Sequence, residues 1–221
     1  MNTLSFKKLA YLGNFSDSLT LPVYHLQPQS VEEIGEIFRL ARENNLTIAS
    51  RGAGRSYNDS ALNGGGIVLD LSLLTAISSW DPETGIIRAE PGLTLEMLWH
   101  KVLPDGWWSP VVSGTMKTTL GGCLGMNIHG KNNYQMGTIG EHVIEFTALL
   151  PTGEEVTCSP EKNSDLFYAM IGGMGMLGVF TSITLQMKRV YSGYLQVKEW
   201  DVPTLKSQLD ALERGAPEND Y

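Results

Sequence analysis

The sequence predicts a mixed fold, α+β or α/β, and three observations carry that reading. Strand-like and helix-like stretches are interspersed along the chain rather than segregated. A helical pattern over residues 30–44 stands between two short apolar runs, 22–26 and 46–49, at the spacing of a βαβ unit. Alternating strand patterns at 86–90 and 179–187 are set off by further helical patterns and glycine-rich turns.

Taken in order, residues 1–20 mix Ser, Asn, Asp and Leu without a clear period and read as an arm. Residues 22–26 read as a strand. Ser30 followed by Glu33 has the capping-box spacing. Ile34, Ile37, Phe38 and Ala41 then share one helical face, and Asn44-Asn45 ends the helix. A strand at 46–49 leads into a glycine-rich stretch at 50–60, and a second strand follows at 66–71. After Leu74 to Ile77 comes a turn at 81–85, then the strand at 86–90. Pro91-Gly92 turns the chain, and Thr94 caps a helix with Leu95, Leu98, Trp99 and Val102 on one face. Trp107-Trp108 and Val111-Val112 lead into the densest glycine region, which runs from Gly114 to Gly140. A strand at 142–150, a turn at 151–153 and a helix opened by Asn163-Ser164-Asp165 follow. Gly172 to Gly178 precede the alternating strand at 179–187. Beyond it a strand is expected at 191–200, a helix at 202–212 and a loop at 215–221. There is no internal repeat.

Composition excludes several function classes. The net charge of the 221 residues is −8, opposite in sign to what a nucleic-acid partner requires. No 18-residue apolar run is present, so no transmembrane segment is expected. The first residues are not followed by an apolar stretch, so a secretory signal is not expected and a cytoplasmic location is. Cys123 and Cys158 are far apart and outside any CxxC pair, which suits idle thiols in a reducing compartment. The four histidines lack ligand spacing, so no metal site is expected.

The stretch Ser50-Arg51-Gly52-Ala53-Gly54-Arg55-Ser56-Tyr57-Asn58-Asp59-Ser60 carries the first chemical signal. Two glycines one residue apart let the backbone approach a ligand and let successive N–H groups point one way. Ser56 adds a hydroxyl donor, and Arg51 and Arg55 add positive charge, a combination suited to phosphate or diphosphate. Taken alone, a strand–turn–strand hairpin is the simpler reading. The Lys-Ser/Thr ending of a P-loop is absent, and no helix opens here as a nicotinamide fingerprint requires.

A second glycine region separates these readings. Ser113-Gly114-Thr115, Thr119-Leu120-Gly121-Gly122 and Asn127-Ile128-His129-Gly130-Lys131-Asn132 follow the first loop in order, and Gly172-Gly173-Met174-Gly175 follows them. Together they resemble the FAD-binding domain of the vanillyl-alcohol-oxidase-type (PCMH-type) flavoproteins, and in look the decaprenylphosphoryl-ribose 2′-oxidase group most of all. The resemblance spans residues 20–190. It implies an α+β fold of two subdomains, about 20–75 and 76–190, with an arm at 1–19 and the start of a substrate domain at 191–221.

The resemblance also implies a ligand and its contacts. The 50–60 loop would hold the diphosphate of FAD, and Gly114, Thr119, Leu120, Gly121 and Gly122 would line the cofactor through backbone groups. Met126, Asn127, Ile128 and His129 would pass near the flavin ring, and Val179 and Phe180 would meet the adenine side through the backbone. Many relatives carry a histidine that links covalently to the flavin where this chain has Arg55, so FAD is expected to be non-covalent. Asn58 stands where near relatives have Gly, and Asn133-Tyr134 replaces a His pair. The implied activity is oxidation of a hydroxyl-bearing carbon of a sugar or polyol, a small-molecule partner, by hydride transfer to flavin N5. His129 and Lys131 are candidates for the flavin- or substrate-proximal groups, and no catalytic base is assigned. Residues 191–221 would be covered by self-association or by a partner chain.

Overall fold

A computed structural model describes residues 8–215. Residues 1–7 of the expected arm and 216–221 of the expected terminal loop lie outside the described residues. In chain order the first elements are β1 (Leu9–Gly13), β2 (Thr20–Leu26), α1 (Val31–Glu43), β3 (Ile48–Arg51) and β4 (Ile67–Asp70). Next come β5 (Ile77–Asp81), β6 (Ile86–Ala89), α2 (Leu95–Val102), β7 (Trp107–Trp108), α3 (Leu120–Gly125) and α4 (Asn133–Met136). The last are β8 (Val143–Leu149), β9 (Glu155–Cys158), α5 (Ser164–Met170), β10 (Val179–Gln186), β11 (Lys188–Arg189) and α6 (Leu205–Gly215). The fold is α+β.

The first sheet has the order β1-β2-β4-β3. Both β2 and β3 pair with β4 in parallel, with Tyr24 and Ile48 each opposite Ile67. The expected βαβ unit is therefore present, with β4 inserted between its two strands. This overturns the hairpin reading of the glycine-rich stretch. A chain leaving β3 must travel back along the sheet to enter β4 in parallel, which takes a dozen or so residues. The stretch begins at the carboxyl end of a parallel strand, the edge where open sheets bind ligands.

Helix α1 forms where its capping signal lies. Ser30 Oγ accepts from the Glu33 N–H at 3.3 Å, and the Glu33 carboxylate accepts from the Gln29 N–H at 2.8 Å. Its buried face, Ile34, Phe38 and Ala41, covers the sheet. Ile34, Phe38 and Leu69 share a cluster with Leu149 and Val179 of the second sheet, so the two layers are joined by apolar packing.

Residues 9–13 correct the arm expectation. They pair antiparallel with β2, Leu9 opposite Tyr24 through Gly13 opposite Thr20. Alternation was hidden there because Leu9 and Tyr11 are apolar yet solvent-facing.

The second sheet is antiparallel in the order β5-β6-β10-β8-β9. One core cluster joins it to α2, α3 and α5 through Ile87, Leu98, Leu124, Phe146, Phe167 and Phe180. Trp107 is buried against Gly85, donates its Nε1–H to Pro82 O at 2.9 Å and carries the Arg189 guanidinium 5.1 Å from its ring. Both thiols are buried and unpaired. Burial pushes the Cys123 pKa up to about 12 against a weaker opposing bond from Thr118, so the thiol stays protonated and inert near neutrality.

The strand expected at 191–200 is absent. Lys188 and Arg189 pair with β7, and no further strand stands beside the residues that follow. Alternating Leu195 and Val197 cannot make a strand without a partner. They are exposed, as are Leu205, Leu209 and Leu212 of α6, which begins three residues later than expected. Among the described residues no helix is long and apolar enough to cross a membrane.

Candidate functional site

The fold brings the separated glycine stretches into contact. Gly52 lies so close to Thr119 that no Cβ would fit between them. A Cβ on Gly175 would stand 3.2 Å from Ser50 Cβ, and one on Gly125 would stand 3.9 Å from Gly175 N. The Met174 N–H donates to Gly125 O at 2.8 Å and the Gly172 N–H to Leu124 O at 2.9 Å. Asn127 is left-handed (φ 43°), and its Oδ1 accepts the Gly140 N–H at 3.0 Å. The first stretch thus meets the second at Gly52 and the third at Ser50. At Gly52 glycine is required by distance, and at Gly175 by its left-handed backbone (φ 73°) as well as by the close approach of Ser50.

The 50–60 loop divides in two. The N–H groups of Gly52, Ala53, Gly54, Arg55 and Ser56 donate to no acceptor among the described residues. Gly54 is left-handed (φ 64°), the backbone state that turns successive amides into one concavity. Beyond Tyr57 the loop is partly closed on itself, although the Tyr57, Asn58 and Asp59 N–H groups also donate to no acceptor among the described residues. Asn58 Oδ1 accepts from the Ser60 N–H at 3.2 Å and the Ser60 hydroxyl at 2.8 Å, and Asp59 O accepts from the Leu62 N–H at 2.8 Å. The open run of amides thus extends from residue 52 to residue 59, with the Asn58 side chain and the Asp59 carbonyl shaping the return.

Arg51 and Arg55 play different parts. Arg55 is exposed, its guanidinium 5.1 Å from the Phe15 ring. Arg51 is half-buried, donating from Nη1 to Ala61 O and from Nη2 to Gly13 O, each at 3.1 Å. Its pKa is lowered by burial, with the charge of Asp70 working against that, yet guanidinium stays charged in proteins. Asp70 is itself engaged: His25 Nε2 lies 2.8 Å from Oδ2, Gln27 Nε2 donates at 3.1 Å, and the Ser72 N–H donates to Oδ1 at 3.0 Å.

The second region offers surface more than donors. The Leu120 and Gly121 N–H groups are engaged by Leu93 O and Pro91 O, each at 2.8 Å, and the Gly122 N–H by Thr119 Oγ1 at 3.3 Å. The amides of residues 120–122 are therefore engaged within the fold, and the position of a Gly121 Cβ is taken by Pro91. Gly114 is exposed, with open space where a Cβ would be. Met126, His129 and Lys131 are exposed, while Asn127 and Ile128 are half-buried. His129 forms an isolated bridge with Thr138, its Nδ1 3.4 Å from Gly130 O. Asn132 is fully buried and donates to Pro110 O at 3.1 Å, anchoring this turn.

Val179 and Phe180 are buried, so their side chains belong to the core. One backbone edge of this stretch lacks a neighbouring strand: β10 pairs with β8 from Val179 onward, but with β6 only from Ile183. Sequence reasoning missed the turn at residues 14–18, which packs on the 50–60 loop. Its signal was the Gly, Asn, Asp and Ser cluster between two short apolar runs. A concavity of about 290 Å³ beside α1, lined by Gln27, Glu33, Arg39 and Glu43, lies away from the glycines, and there Arg39 and Glu43 pair with each other at 3.4 Å.

Residues 22–159 match the family described as the FAD binding domain. The decaprenylphosphoryl-β-D-ribose oxidase of Mycolicibacterium smegmatis is 36% identical over 226 residues, covering 100% of this chain and 48% of its own length. The L-gulonolactone oxidase of Bos taurus is 28% identical over 201 residues, covering 90% of this chain and 44% of its own length. Cytokinin dehydrogenase 4 of Oryza sativa subsp. japonica is 30% identical over 182 residues, covering 76% of this chain and 34% of its own length. The chain thus spans half or less of each of these relatives.

Proposed function

The chain belongs to the PCMH-type FAD-binding domain family, and from that premise we propose that it is the FAD-holding part of an oxidoreductase. FAD is the cofactor. We propose that it is held without a covalent bond, since Arg55 occupies the linking place in the first loop. One observation supports the reading of the 50–60 loop as the diphosphate site: the consecutive amides from residue 52 onward donate to no acceptor among the described residues. The fit is good chemically, because a dianionic diphosphate needs several donors and nearby positive charge, and Ser56, Arg51 and Arg55 stand in the same loop. The close contacts of Gly52 with Thr119, Gly121 with Pro91 and Gly175 with Ser50 bring the glycine stretches together around this loop, and Gly114 leaves open space where a cofactor could approach the backbone. Val179 and Phe180 would pair with the adenine through their backbone.

FAD, when bound, supplies the acceptor for a hydride leaving a hydroxyl-bearing carbon. The substrate we propose is a sugar or polyol, in keeping with relatives named for a ribose and for a gulonolactone. The exposed turn carrying His129 and Lys131 is the candidate flavin- or substrate-facing surface. There the Lys131 ammonium would supply a point charge to a substrate oxygen.

A second reading is favoured by the exposed apolar side chains at 191–212. The chain then holds FAD but turns nothing over alone, with this segment covered by another copy or by a partner. Anaerobic mixing of the FAD-loaded chain with sugars and polyols separates the readings. We expect the monomer to keep its colour for lack of a wall over the substrate face. Rapid bleaching by any member of the panel would show that the chain alone completes the site.

A further inference from the structure

We propose that the turn of the β1–β2 hairpin is a brace that holds the diphosphate loop in its binding shape, with Asn14 as the positioning residue. The proposal rests on the reading of residues 52–56 as the FAD diphosphate site. The turn, residues 14–19, lies outside the matched span of 22–159.

Three bonds run from the turn to two adjacent carbonyls of the loop. The Phe15 N–H donates to Ser56 O at 3.0 Å. Asn14 Nδ2 and Ser16 Oγ both donate to Tyr57 O, each at 2.9 Å. Arg51 adds a fourth tie in the opposite sense, donating to Gly13 O. A trans peptide is planar, so fixing its C=O on one side aims its N–H to the other. Holding the Ser56 and Tyr57 carbonyls against the hairpin therefore aims the Tyr57 and Asn58 N–H groups, which continue the open amide run of residues 52–56. The rings add to the seat: Phe15 meets Tyr57 edge-on at 5.2 Å and lies under the Arg55 guanidinium.

Asn14 is built for this task. It is 6% exposed, and every polar atom of its side chain is used. Its Oδ1 accepts from the Ser18 N–H at 3.1 Å and the Leu19 N–H at 3.3 Å, which closes the turn. Its Nδ2 donates to Ser18 Oγ at 3.0 Å as well as to the loop. One half of the amide shapes the hairpin and the other half holds the loop. Preorganisation of this kind is what lets a run of amides bind an anion without first paying its own ordering entropy.

The test uses two variants of the full chain and three probes. Asn14→Asp keeps the acceptor that closes the turn and removes the donor to Tyr57 O. Phe15→Ala removes the aromatic seat without adding charge, and its half-exposed position makes it safe for folding. Binding of FAD, ADP and riboflavin is measured by fluorescence titration and calorimetry, with the melting temperature of the apoprotein as the fold control. We expect FAD and ADP to bind about tenfold more weakly in each variant, the scale of losing a positioned hydrogen bond in Asn14→Asp and the ring contacts with Tyr57 and Arg55 in Phe15→Ala. Riboflavin, which lacks the diphosphate, keeps its affinity. Unchanged FAD and ADP binding in a folded variant overturns the brace, as does an equal loss for all three probes. If Asn14→Asp does not fold, Phe15→Ala decides. A native chain that binds neither FAD nor ADP contradicts the underlying diphosphate site, which is a different result.

Discussion

Gly54→Val leaves the chain folded and unable to bind FAD. Gly54 holds a left-handed backbone (φ 64°), which a β-branched residue adopts at a cost of about 1–3 kcal/mol. A side chain here also runs into the Arg51 guanidinium. That guanidinium cannot simply retreat, because it bonds Ala61 O and Gly13 O and so ties the loop's end to the hairpin. The variant must either flatten the turn at residue 54 or displace Arg51, and both undo the concavity of amides. The loop lies at the sheet edge, outside the apolar clusters, so the fold survives. Flavin fluorescence quenching on the apoprotein reads the loss, and circular dichroism reads the fold. Full FAD occupancy in a folded Gly54→Val chain would show that the diphosphate lies elsewhere.

Phe146→Ala carries the largest expected loss of stability. Phe146 is 1% exposed, stacked on Phe167 at 5.4 Å and edge-on to Phe180 at 4.9 Å. Removing a ring from such a site costs about 3–5 kcal/mol, part transfer and part cavity. In a chain of this size that lowers the melting temperature by on the order of 10 °C. The loss also reaches the site. Phe167 sits on α5, which delivers the chain to the Gly172–Gly175 turn, and Phe180 stands at the start of β10 just beyond it. FAD affinity should therefore fall with stability, though by less than in Gly54→Val. A urea titration showing a loss below about 1 kcal/mol would mean that the three rings are not the centre of this core.

Local chemistry made much of the fold legible. Helix α1 lies where a capping pair precedes an apolar face, and α2 starts at Thr94, whose Oγ1 accepts the Met97 N–H at 3.1 Å. What escaped depends on tertiary partners. Helix α3 holds three glycines, poor helix formers, and stands because Thr119 caps it and Pro91 and Leu93 take its first amides. Strand β1 exposes its apolar residues, so no period marked it. The alternation at 191–200 was real in sequence, but no neighbouring strand is there to complete it.

The site was legible as a set of motifs but not as an arrangement. Glycine spacing pointed to Gly52, Gly121, Gly122 and Gly175 without showing that Gly52 abuts Thr119 or that Gly175 abuts Ser50. Nor could spacing show that the amides at 120–122 are engaged while those at 52–56 are open. For Leu120 and Gly121 that depends on carbonyls the fold brings near from Leu93 and Pro91, in a turn distant in sequence, while Gly122 is engaged locally by Thr119. The part of the hairpin turn at 14–18 was hidden for the same reason.

The most direct test of the account is the flavin content of the purified chain, measured before and after acid precipitation. The expected result is one FAD per chain, released entirely into the acid supernatant. Flavin retained in the pellet would contradict the non-covalent assignment drawn from Arg55. A folded chain that is colourless and cannot be reconstituted with FAD would contradict the cofactor site itself.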